Sequence, residues 1–190
     1  MARKTIWQGG TQLAPVPAVL VGCGNGTDFK YNLITVAWAG IVCSNPPMIS
    51  VSIRPERYSR GLIESTGEFT VNVPTVSMAE MVDYCGMVSG RNVDKFKAAN
   101  LTAKPGSKVS APIVDECPLA LECRVVHSLK LGSHIMYVGE IVAVQADSEL
   151  INAKGKFEIE KADILGYAHG SYYGMGEKAG DFGFSVKKKN

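Results

Sequence analysis

Residues 32–59 read NLITVAWAGIVCSNPPMISVSIRPERYS, and this stretch decides the fold. Two strand-like segments, 32–39 and 48–54, flank a Cys-Ser-Asn-Pro-Pro turn at 43–47. In the second segment apolar and small polar residues alternate with a period of two. The apolar residues are Ile49, Val51 and Ile53, and the polar residues are Ser50, Ser52 and Arg54. This alternation predicts a strand with one buried face and one polar face.

The same stretch ends in a helix start that is rich in arginine and hydroxyl groups: Arg54, Arg57, Tyr58 and Ser59. Free backbone amides at a helix N-terminus and guanidinium groups both favour a dianionic phosphate. A small polar strand beside such a helix suits a flat ring that ends in a phosphate. The first strand would add polar atoms from Asn32 and Thr35 and small side chains from Ala37 and Ala39. A solvated turn with Ser59 as an ordinary N-cap is the alternative that the residues leave open.

The rest of the chain is dominated by predicted strands. We expect strands at 15–22 and 69–73, and a long hairpin in which Gly132-Ser133 joins 119–131 to 134–147. Asn25-Gly26 is a typical hairpin turn. The string GCGNG around it does not predict a dinucleotide fingerprint, because extended residues and not a helix follow it. The segment 157–175, rich in Gly and Tyr, is expected to be irregular.

Helices are predicted to be few and short. One spans 58–65 and is closed by Gly67, and another helical turn lies within 92–99. Ser77 to Glu80 has the spacing of a capping box. The residues Met78, Met81, Val82 and Cys85 would then share one buried helix face. Six or seven strands with these helices predict a barrel-like domain that is mainly β with short helices (α+β).

Composition excludes several classes of function. The chain has 190 residues and a net charge of +2, which is too mild to indicate nucleic acid. The three lysines at 187–189 are interpreted as a solvated tail, and the sequons at Asn25 and Asn100 as chance matches. We expect neither a membrane span nor a leader peptide. The five cysteines lack a CxxC motif and metal-ligand spacing, which predicts reduced thiols, no metal site and a cytoplasmic location.

The residues also resemble a known family. The segments 32–40, 44–59 and 64–74 are similar, in order, to the signature of the flavin reductase-like family. The segment 131–144 resembles its Gly-x-His strand, and 165–188 resembles the C-terminal segment of the flavoredoxin-type branch. The resemblance covers nearly the whole chain. It implies a single domain over 1–190, an FMN-binding split β-barrel with a C-terminal extension, which forms a homodimer with flavin near the subunit interface.

The resemblance implies a set of FMN-binding residues in three groups. Around the isoalloxazine it places Thr35, Val36, Ala37, Trp38, Cys43, Ser44 and Asn45. Toward the ribityl chain and the pyrimidine it places Ser52, Ile53 and Arg54. At the phosphate it places Arg57, Tyr58 and Ser59. His134 would lie near the ring or the nicotinamide, although this chain has Gly-Ser-His where many reductases carry Gly-Asp-His.

The implied activity is an FMN-dependent oxidoreductase, either an NAD(P)H:flavin reductase or a flavoredoxin-type electron-transfer protein. The alternatives are an FMN-binding electron carrier without intrinsic NAD(P)H turnover, a ferric reductase, or a β-barrel without a cofactor. The partners would be NADH or NADPH, or a redox protein. We predict no catalytic acid, base or thiol, because hydride transfer to flavin is chemistry of the cofactors themselves.

Overall fold

A computed structural model describes residues 3–186, so the lysines at 187–189 lie outside the described residues. The strands are β1 (Val16–Pro17), β2 (Val19–Cys23), β3 (Asn32–Val36), β4 (Ala39–Ser44), β5 (Pro47–Ile53), β6 (Glu68–Val73), β7 (Ala103–Pro105), β8 (Pro112–Val114), β9 (Leu119–Leu131), β10 (His134–Ala146), β11 (Leu165–Ala168) and β12 (Ser171–Gly174). The helices are α1 (Tyr58–Thr66), α2 (Ala79–Met87) and α3 (Lys95–Ala98). The predicted class, mainly β with short helices, is therefore confirmed.

A seven-stranded antiparallel sheet in the order β3-β2-β6-β9-β10-β5-β4 forms the barrel. Strands from both ends of this order contribute to one core, which includes Ile34 and Val36 of β3 and Val51 of β5. The two edge strands, β3 and β4, are consecutive in the chain. At the crossing between them, the carbonyl of Trp38 accepts a hydrogen bond of 2.9 Å from the amide of Ser52 on β5. The barrel is thus split beside β3.

Two hydrophobic cores lie on the two faces of the sheet, and β2 contributes to both. Its residues Val19 and Val21 face the barrel interior, where they meet Leu62 and Ile63 of α1. Leu20, between them, faces the outer core beneath α2 and α3. Because both faces are covered, β2 is a continuous apolar run without alternation.

The barrel elements agree closely with the sequence predictions. In β5 the apolar residues are buried and the serines are half-buried, as the alternation predicts. Helix α1 ends at Gly67, whose φ of 68° is a left-handed C-cap. Strands β9 and β10 form the predicted long hairpin, and α3 occupies the predicted turn within 92–99. Buried Met78, Val82 and Cys85 confirm the inward face of the segment that contains α2.

Three predicted strand or loop boundaries are wrong, the first two because a partner strand is distant in the sequence. The segment 15–22 splits into β1 and β2 because β1 pairs with β11, whereas β2 pairs with β3 and β6. The segment 157–175 is not irregular, because β11 and β12 add to β1 in a three-stranded sheet. The strand at 32–39 ends at Val36, where the chain bends to cross the barrel split.

The capping box is also wrong. A 3₁₀ turn at Val76–Met78 precedes α2, so the residue before the α-helix is Met78, and it makes no side-chain cap. The hydroxyl of Ser77 lies 2.8 Å from that of Thr75 and makes a hydrogen bond there. An extra tight turn therefore shifts the start of α2 past Ser77.

All five cysteines are described, and each is a free thiol. Burial raises the pKa of Cys23 to about 11 and that of Cys123 to about 12. Burial likewise raises the pKa of Cys85 and Cys117. These four thiols are protonated at neutral pH and are poor nucleophiles.

Candidate functional site

A cleft of about 230 Å³ opens at the split of the barrel. The crossing from β3 to β4 forms one wall, and the end of β5 with the segment before α1 forms another. Nine of the predicted site residues line this cleft: Thr35, Val36, Ala37, Trp38, Ser52, Ile53, Arg54, Arg57 and His134. Two further residues, Ile34 and Tyr167, complete it. The structure thus brings most of the predicted ring-binding residues together.

Small side chains and backbone groups dominate the wall of the cleft that β3 and β5 provide. The hydroxyl of Thr35 donates to the carbonyl of Val82 on α2, so its side-chain donor is already used. Ala37 and Ser52 are half-buried and short. A wall of this kind leaves room for a flat ring and offers peptide groups as its hydrogen-bond partners.

His134 stands at the start of β10, at the edge of this cleft. Its Nδ1 lies 2.9 Å from the hydroxyl of Ser133, so the serine of the Gly-Ser-His sequence orients the ring. Only one ring nitrogen is engaged in this way, and the other is available to a ligand. Tyr167 reaches the same cleft from β11.

A second cavity of about 270 Å³ adjoins the first and shares Ile34 and Arg57 with it. Its other lining residues come from the start of α1, the loop after α2 and the start of α3: Glu56, Tyr58, Ser59, Val88, Ser89, Gly90 and Lys95. All three predicted phosphate residues, Arg57, Tyr58 and Ser59, lie here. The phosphate prediction therefore corresponds to a cavity of its own, beside the ring cleft.

The N-terminus of α1 faces this second cavity without a side-chain cap. Arg57 is the N-cap residue, with extended backbone angles (φ −71°, ψ 133°), and it caps no amide. The first amides of an α-helix have no intrahelical partner, which makes them donors for an anion. The alternative in which Ser59 is the N-cap is wrong, because Ser59 is the second residue of the helix.

Asn32 is buried behind this helix start and does not line either cavity. It is 3% exposed, and its Nδ2 donates to the hydroxyl of Ser59 over 2.8 Å. A β-carbon at Gly90 would lie 1.9 Å from Asn32 Oδ1, so the loop after α2 can pack here only with glycine. Asn32 therefore holds Ser59 and Gly90 in place rather than offering its amide to a ligand.

Lys95 is the basic residue of this cavity that the sequence did not indicate. It is 3% exposed, and its Nζ donates to the carbonyls of Leu33 and Cys85, each at 2.7 Å. Burial lowers the pKa of this lysine below its usual value, and the neighbouring charge of Arg57 lowers it further. An ammonium has three donors, so one remains after these two bonds.

No carboxylate within residues 3–186 forms an ion pair with Lys95. The acidic residue that lines the cavity, Glu56, pairs with Arg54 at 3.9 Å. A buried cation without a counter-ion is costly, and a bound anion would remove that cost. The side chains of the second cavity therefore suit an anion.

Three predicted ring-binding residues, Cys43, Ser44 and Asn45, do not line either cavity. They lie at the closed end of the β4–β5 hairpin, where Ser44 pairs with Pro47, whereas the cleft is at the open end near Ile53. The length of β5 separates the two ends by about 20 Å. Within one chain, these residues are too far away to contact a ring in the cleft.

An open barrel with a ring-sized cleft at its split and a second cavity beside it has the architecture of a split-barrel flavoprotein, the class that the resemblance implies. The model of the flavin reductase-like domain family matches residues 12–176. The chain therefore belongs to the flavin reductase-like domain family, as its resemblance implied.

Solved structures support the same assignment. The chain is similar to the flavoredoxin of Desulfovibrio vulgaris (Miyazaki F), with 35% identity, a TM-score of 0.90 and coverage of 97% of this chain and 100% of that one. It is also similar to a flavoredoxin from Methanosarcina acetivorans, with 34% identity, a TM-score of 0.87 and coverage of 98% and 100%. An FMN-binding protein from Thermus thermophilus, crystallised with 1-cyclohex-2-enone, is 25% identical over 95% and 99% of the chains, with a TM-score of 0.80.

The curated relatives say less about function. An uncharacterized protein of Archaeoglobus fulgidus is 37% identical over 115 residues, which span 60% of this chain and 65% of that protein. A ferric-chelate reductase (NAD(P)H) of the same organism is 25% identical over 66% of each chain. Among the described residues, no helix combines the length and the apolar character required to cross a bilayer.

Proposed function

We propose that the chain binds FMN, with the isoalloxazine in the cleft at the barrel split and the phosphate in the adjoining cavity, and that it acts as an oxidoreductase. The observation that carries this proposal is the buried, unpaired cation of Lys95 beside the uncapped start of α1. A ring slot and an anion site that share Arg57 match the two ends of FMN. The flavoredoxin and FMN-binding neighbours support the choice of flavin.

Each part of the site would bind a different part of FMN. The peptide groups of 35–38 and 52–54 would hold the ring at its edges, and Ala37 and Ser52 would let it lie flat. Arg57, Lys95 and the first amides of α1 would hold the phosphate. Bound FMN would supply the electron-transfer chemistry itself. The protein's contribution is then binding, orientation and exclusion of water, and no acid or base is assigned to any residue.

Removal of one cation from the proposed phosphate site should weaken FMN binding more than riboflavin binding. We expect Arg57→Ala to weaken FMN binding by about tenfold or more, because a charge-assisted hydrogen bond contributes about 1.5–3 kcal/mol. Riboflavin lacks the phosphate, so its affinity should fall far less than that of FMN, although Arg57 also lines the ring cleft. Titration of the apo-protein with each flavin, followed by flavin fluorescence, measures this. Equal wild-type affinities for FMN and riboflavin would show that the second cavity does not hold the phosphate.

The electron donor is a separate proposal. We infer that NADH or NADPH reduces the bound flavin, and the NAD(P)H-dependent ferric-chelate reductase among the relatives supports this. The second candidate, a flavoredoxin-type carrier reduced by another protein, is favoured by the similarity to two flavoredoxins. Anaerobic stopped-flow mixing of the FMN-loaded protein with each nicotinamide decides between them. Rapid bleaching of the flavin band supports the reductase, and a stable band supports the carrier.

We also propose a homodimer and a cytoplasmic location. The outer barrel edge β4 exposes two apolar side chains, Ile41 (63%) and Val42 (52%), and the far half of the β9–β10 hairpin exposes Leu129 and Leu131. Apolar side chains on a free strand edge favour association, and two-fold dimers are the commonest oligomers. In a dimer, Cys43, Ser44 and Asn45 could approach the partner's flavin. The free thiols are in keeping with a reducing compartment.

Sedimentation tests the dimer. The wild-type protein should sediment at twice its chain mass of 20.4 kDa, and Val42→Glu should shift it toward the monomer by placing a charge on the β4 edge. Lys97→Glu, a change at an exposed lysine of α3 that forms no ion pair among the described residues, provides the control. A flavin-loaded wild-type monomer at micromolar concentration would contradict the proposal.

A further inference from the structure

The first described residues, 3–13, form an extended arm that projects from the domain. Every residue of this arm is exposed, and among them Ile6 is 97% and Trp7 is 77% exposed. A hydrogen bond of 3.3 Å between Nε2 of His169 and the carbonyl of Gln12 ties the base of the arm to the turn between β11 and β12. Adjacent exposed isoleucine and tryptophan side chains are typical of a surface that binds a partner.

A cavity of about 660 Å³, which we call the C-terminal cavity, lies between residues 156–164 and 175–182. It shares no lining residue with the ring cleft or with the second cavity. Its volume lies within the range of about 300–1,000 Å³ that holds a small molecule, so an aromatic side chain and its neighbours would fit. Four apolar side chains line it: Ile159, Ile164, Met175 and Phe182.

Unpaired carboxylates outnumber unpaired cations at the C-terminal cavity. Two of its three lysines are already neutralised within the chain, Lys161 by Glu158 and Lys178 by Asp181. The third is Lys156. The remaining acidic lining residues form no ion pair with any residue of 3–186: Glu160, Asp163 and Glu177. The cavity therefore carries an excess of negative charge.

The arm carries positive charge next to its apolar side chains. Arg3 and Lys4 precede Ile6 and Trp7, and neither cation forms an ion pair with any residue of 3–186. Exposed ion pairs add little affinity, but complementary charge brings two surfaces together in one orientation. A cationic and aromatic segment thus matches a cavity with apolar walls and unpaired carboxylates.

Within one chain the arm runs away from the C-terminal cavity. Val16 pairs with Tyr167, so the residues before Val16 run toward the turn between β11 and β12. The cavity lies at the other end of this hairpin, beyond the pair of Leu165 and Gly174. The length of β11 separates the two ends by about 10 Å, and no residue of 3–13 lines the cavity. A second copy of the chain can bring its arm to the cavity without such a reversal.

We propose that the arm docks in the C-terminal cavity of a second copy of this chain, with Trp7 against the apolar walls and Arg3 and Lys4 near the carboxylates. In a two-fold dimer the exchange is reciprocal, since each copy gives one arm and receives the other. Eleven arm residues and fourteen lining residues per copy agree with the roughly 20–30 residues a side of a stable interface.

The position of β1 connects this contact to the interface already proposed. Strand β1 lies beside β4, so the arm leaves the domain next to the strand edge at which we propose that the dimer forms. The inference therefore rests on the proposed homodimer, and it adds a second surface to that dimer.

Two substitutions at exposed positions test the docking, one on each side of the contact. Trp7→Ala removes the indole, and Met175→Arg places a cation where the cationic arm would bind. We expect each variant to raise the dissociation constant of the dimer by at least about thirtyfold, as is typical when an aromatic anchor is removed from an interface. Sedimentation velocity over a dilution series measures this. Met87→Ala, a change at an exposed methionine that ends α2, is the matched control.

A mixture of the two variants shows which chain the arm enters. The mixed dimer keeps one unchanged arm, from the Met175→Arg copy, and one unchanged cavity, on the Trp7→Ala copy. Neither homodimer keeps such a pair. We therefore expect dimers to form on mixing at a concentration at which each variant alone is monomeric. A mixture that stays monomeric would show that the arm does not dock between copies.

The remaining outcomes separate this inference from the proposals beneath it. If the wild type is a dimer and neither variant dissociates more readily than Met87→Ala, the arm docking is wrong while the homodimer stands. A wild-type monomer overturns both. Titration of the same samples with FMN tests the flavin site independently of either result.

Discussion

Replacement of Lys95 by methionine is expected to weaken FMN binding by more than about a hundredfold, since breaking a buried ion pair costs about 3–5 kcal/mol. The lysine is 3% exposed and lacks a carboxylate partner among residues 3–186, so the flavin phosphate would be its counter-ion. Methionine nearly keeps the length of the side chain and removes the charge. Titration of the apo-protein with FMN and riboflavin measures the effect, and the riboflavin affinity should stay within about twofold.

Lys97→Met is the matched control, because Lys97 follows two residues later on the same short helix and is exposed. Urea unfolding of both variants reports whether Lys95→Met disturbs the fold, since Lys95 also bonds the carbonyls of Leu33 and Cys85. An equal loss of FMN and riboflavin affinity would mean that Lys95 supports the fold and does not bind phosphate.

The same lysine gives the FMN affinity a pH dependence with a definite sign. Only the ammonium form attracts the phosphate, so affinity should fall as the pH rises through the pKa of Lys95. Burial lowers this pKa below 10.5 in the free protein, while a bound phosphate would raise it. The wild-type affinity should therefore decline at alkaline pH, and the decline should be absent from Lys95→Met.

The sequence predicted the parts of the site that depend on neighbouring residues. The alternation in β5 fixes which of its side chains are buried, and Arg57 to Ser59 follow at the helix start a few residues later. These features need only a strand period and a helix boundary. For this reason most residues of the ring cleft, and three residues of the adjoining cavity, are ones that the sequence indicated.

Tertiary contacts bring into the site the residues that the sequence did not indicate. Lys95 lies between an aspartate and a phenylalanine in DKFK, and nothing there distinguishes it from the exposed Lys97. It is buried because α3 packs against the carbonyl of Leu33, which is 62 positions away. Tyr167 reaches the cleft because β11 pairs with β1. Neither contact leaves a local pattern.

The prediction that Cys43, Ser44 and Asn45 surround the ring is wrong within a single chain, and for the opposite reason. Their closeness in sequence to β5 is real, but a hairpin carries its turn to the end opposite the cleft. Closeness along the chain thus does not mean closeness to the site when a full strand intervenes. Whether these residues meet a flavin of a second subunit depends on the proposed dimer.

Glu122→Ala is expected to lower the free energy of unfolding by roughly 3–5 kcal/mol at neutral pH, because each donor left without a partner costs about 1–3 kcal/mol. Glu122 lies on β9 and has no exposed surface. Its carboxylate accepts hydrogen bonds from the amides of Ser107, Lys108 and Val109, from the Ser107 hydroxyl and from Gln145. Its removal would leave the loop between β7 and β8 with unpaired donors.

The same hydrogen bonds determine how the stability of the folded protein changes with pH. Burial by itself would raise the pKa of Glu122, but the bonds from Gln145, Ser107 and Lys108 outweigh it and lower the pKa from 4.5 to about 2. A carboxyl whose pKa is lowered by folding stabilises the protein above its unfolded pKa, and this contribution is lost as the pH falls toward 2. Urea unfolding between pH 7 and pH 2 should show the loss in the wild type and in the control Glu149→Ala, an exposed glutamate. A Glu122→Ala protein with the same acid loss as the wild type would show that other carboxylates are responsible.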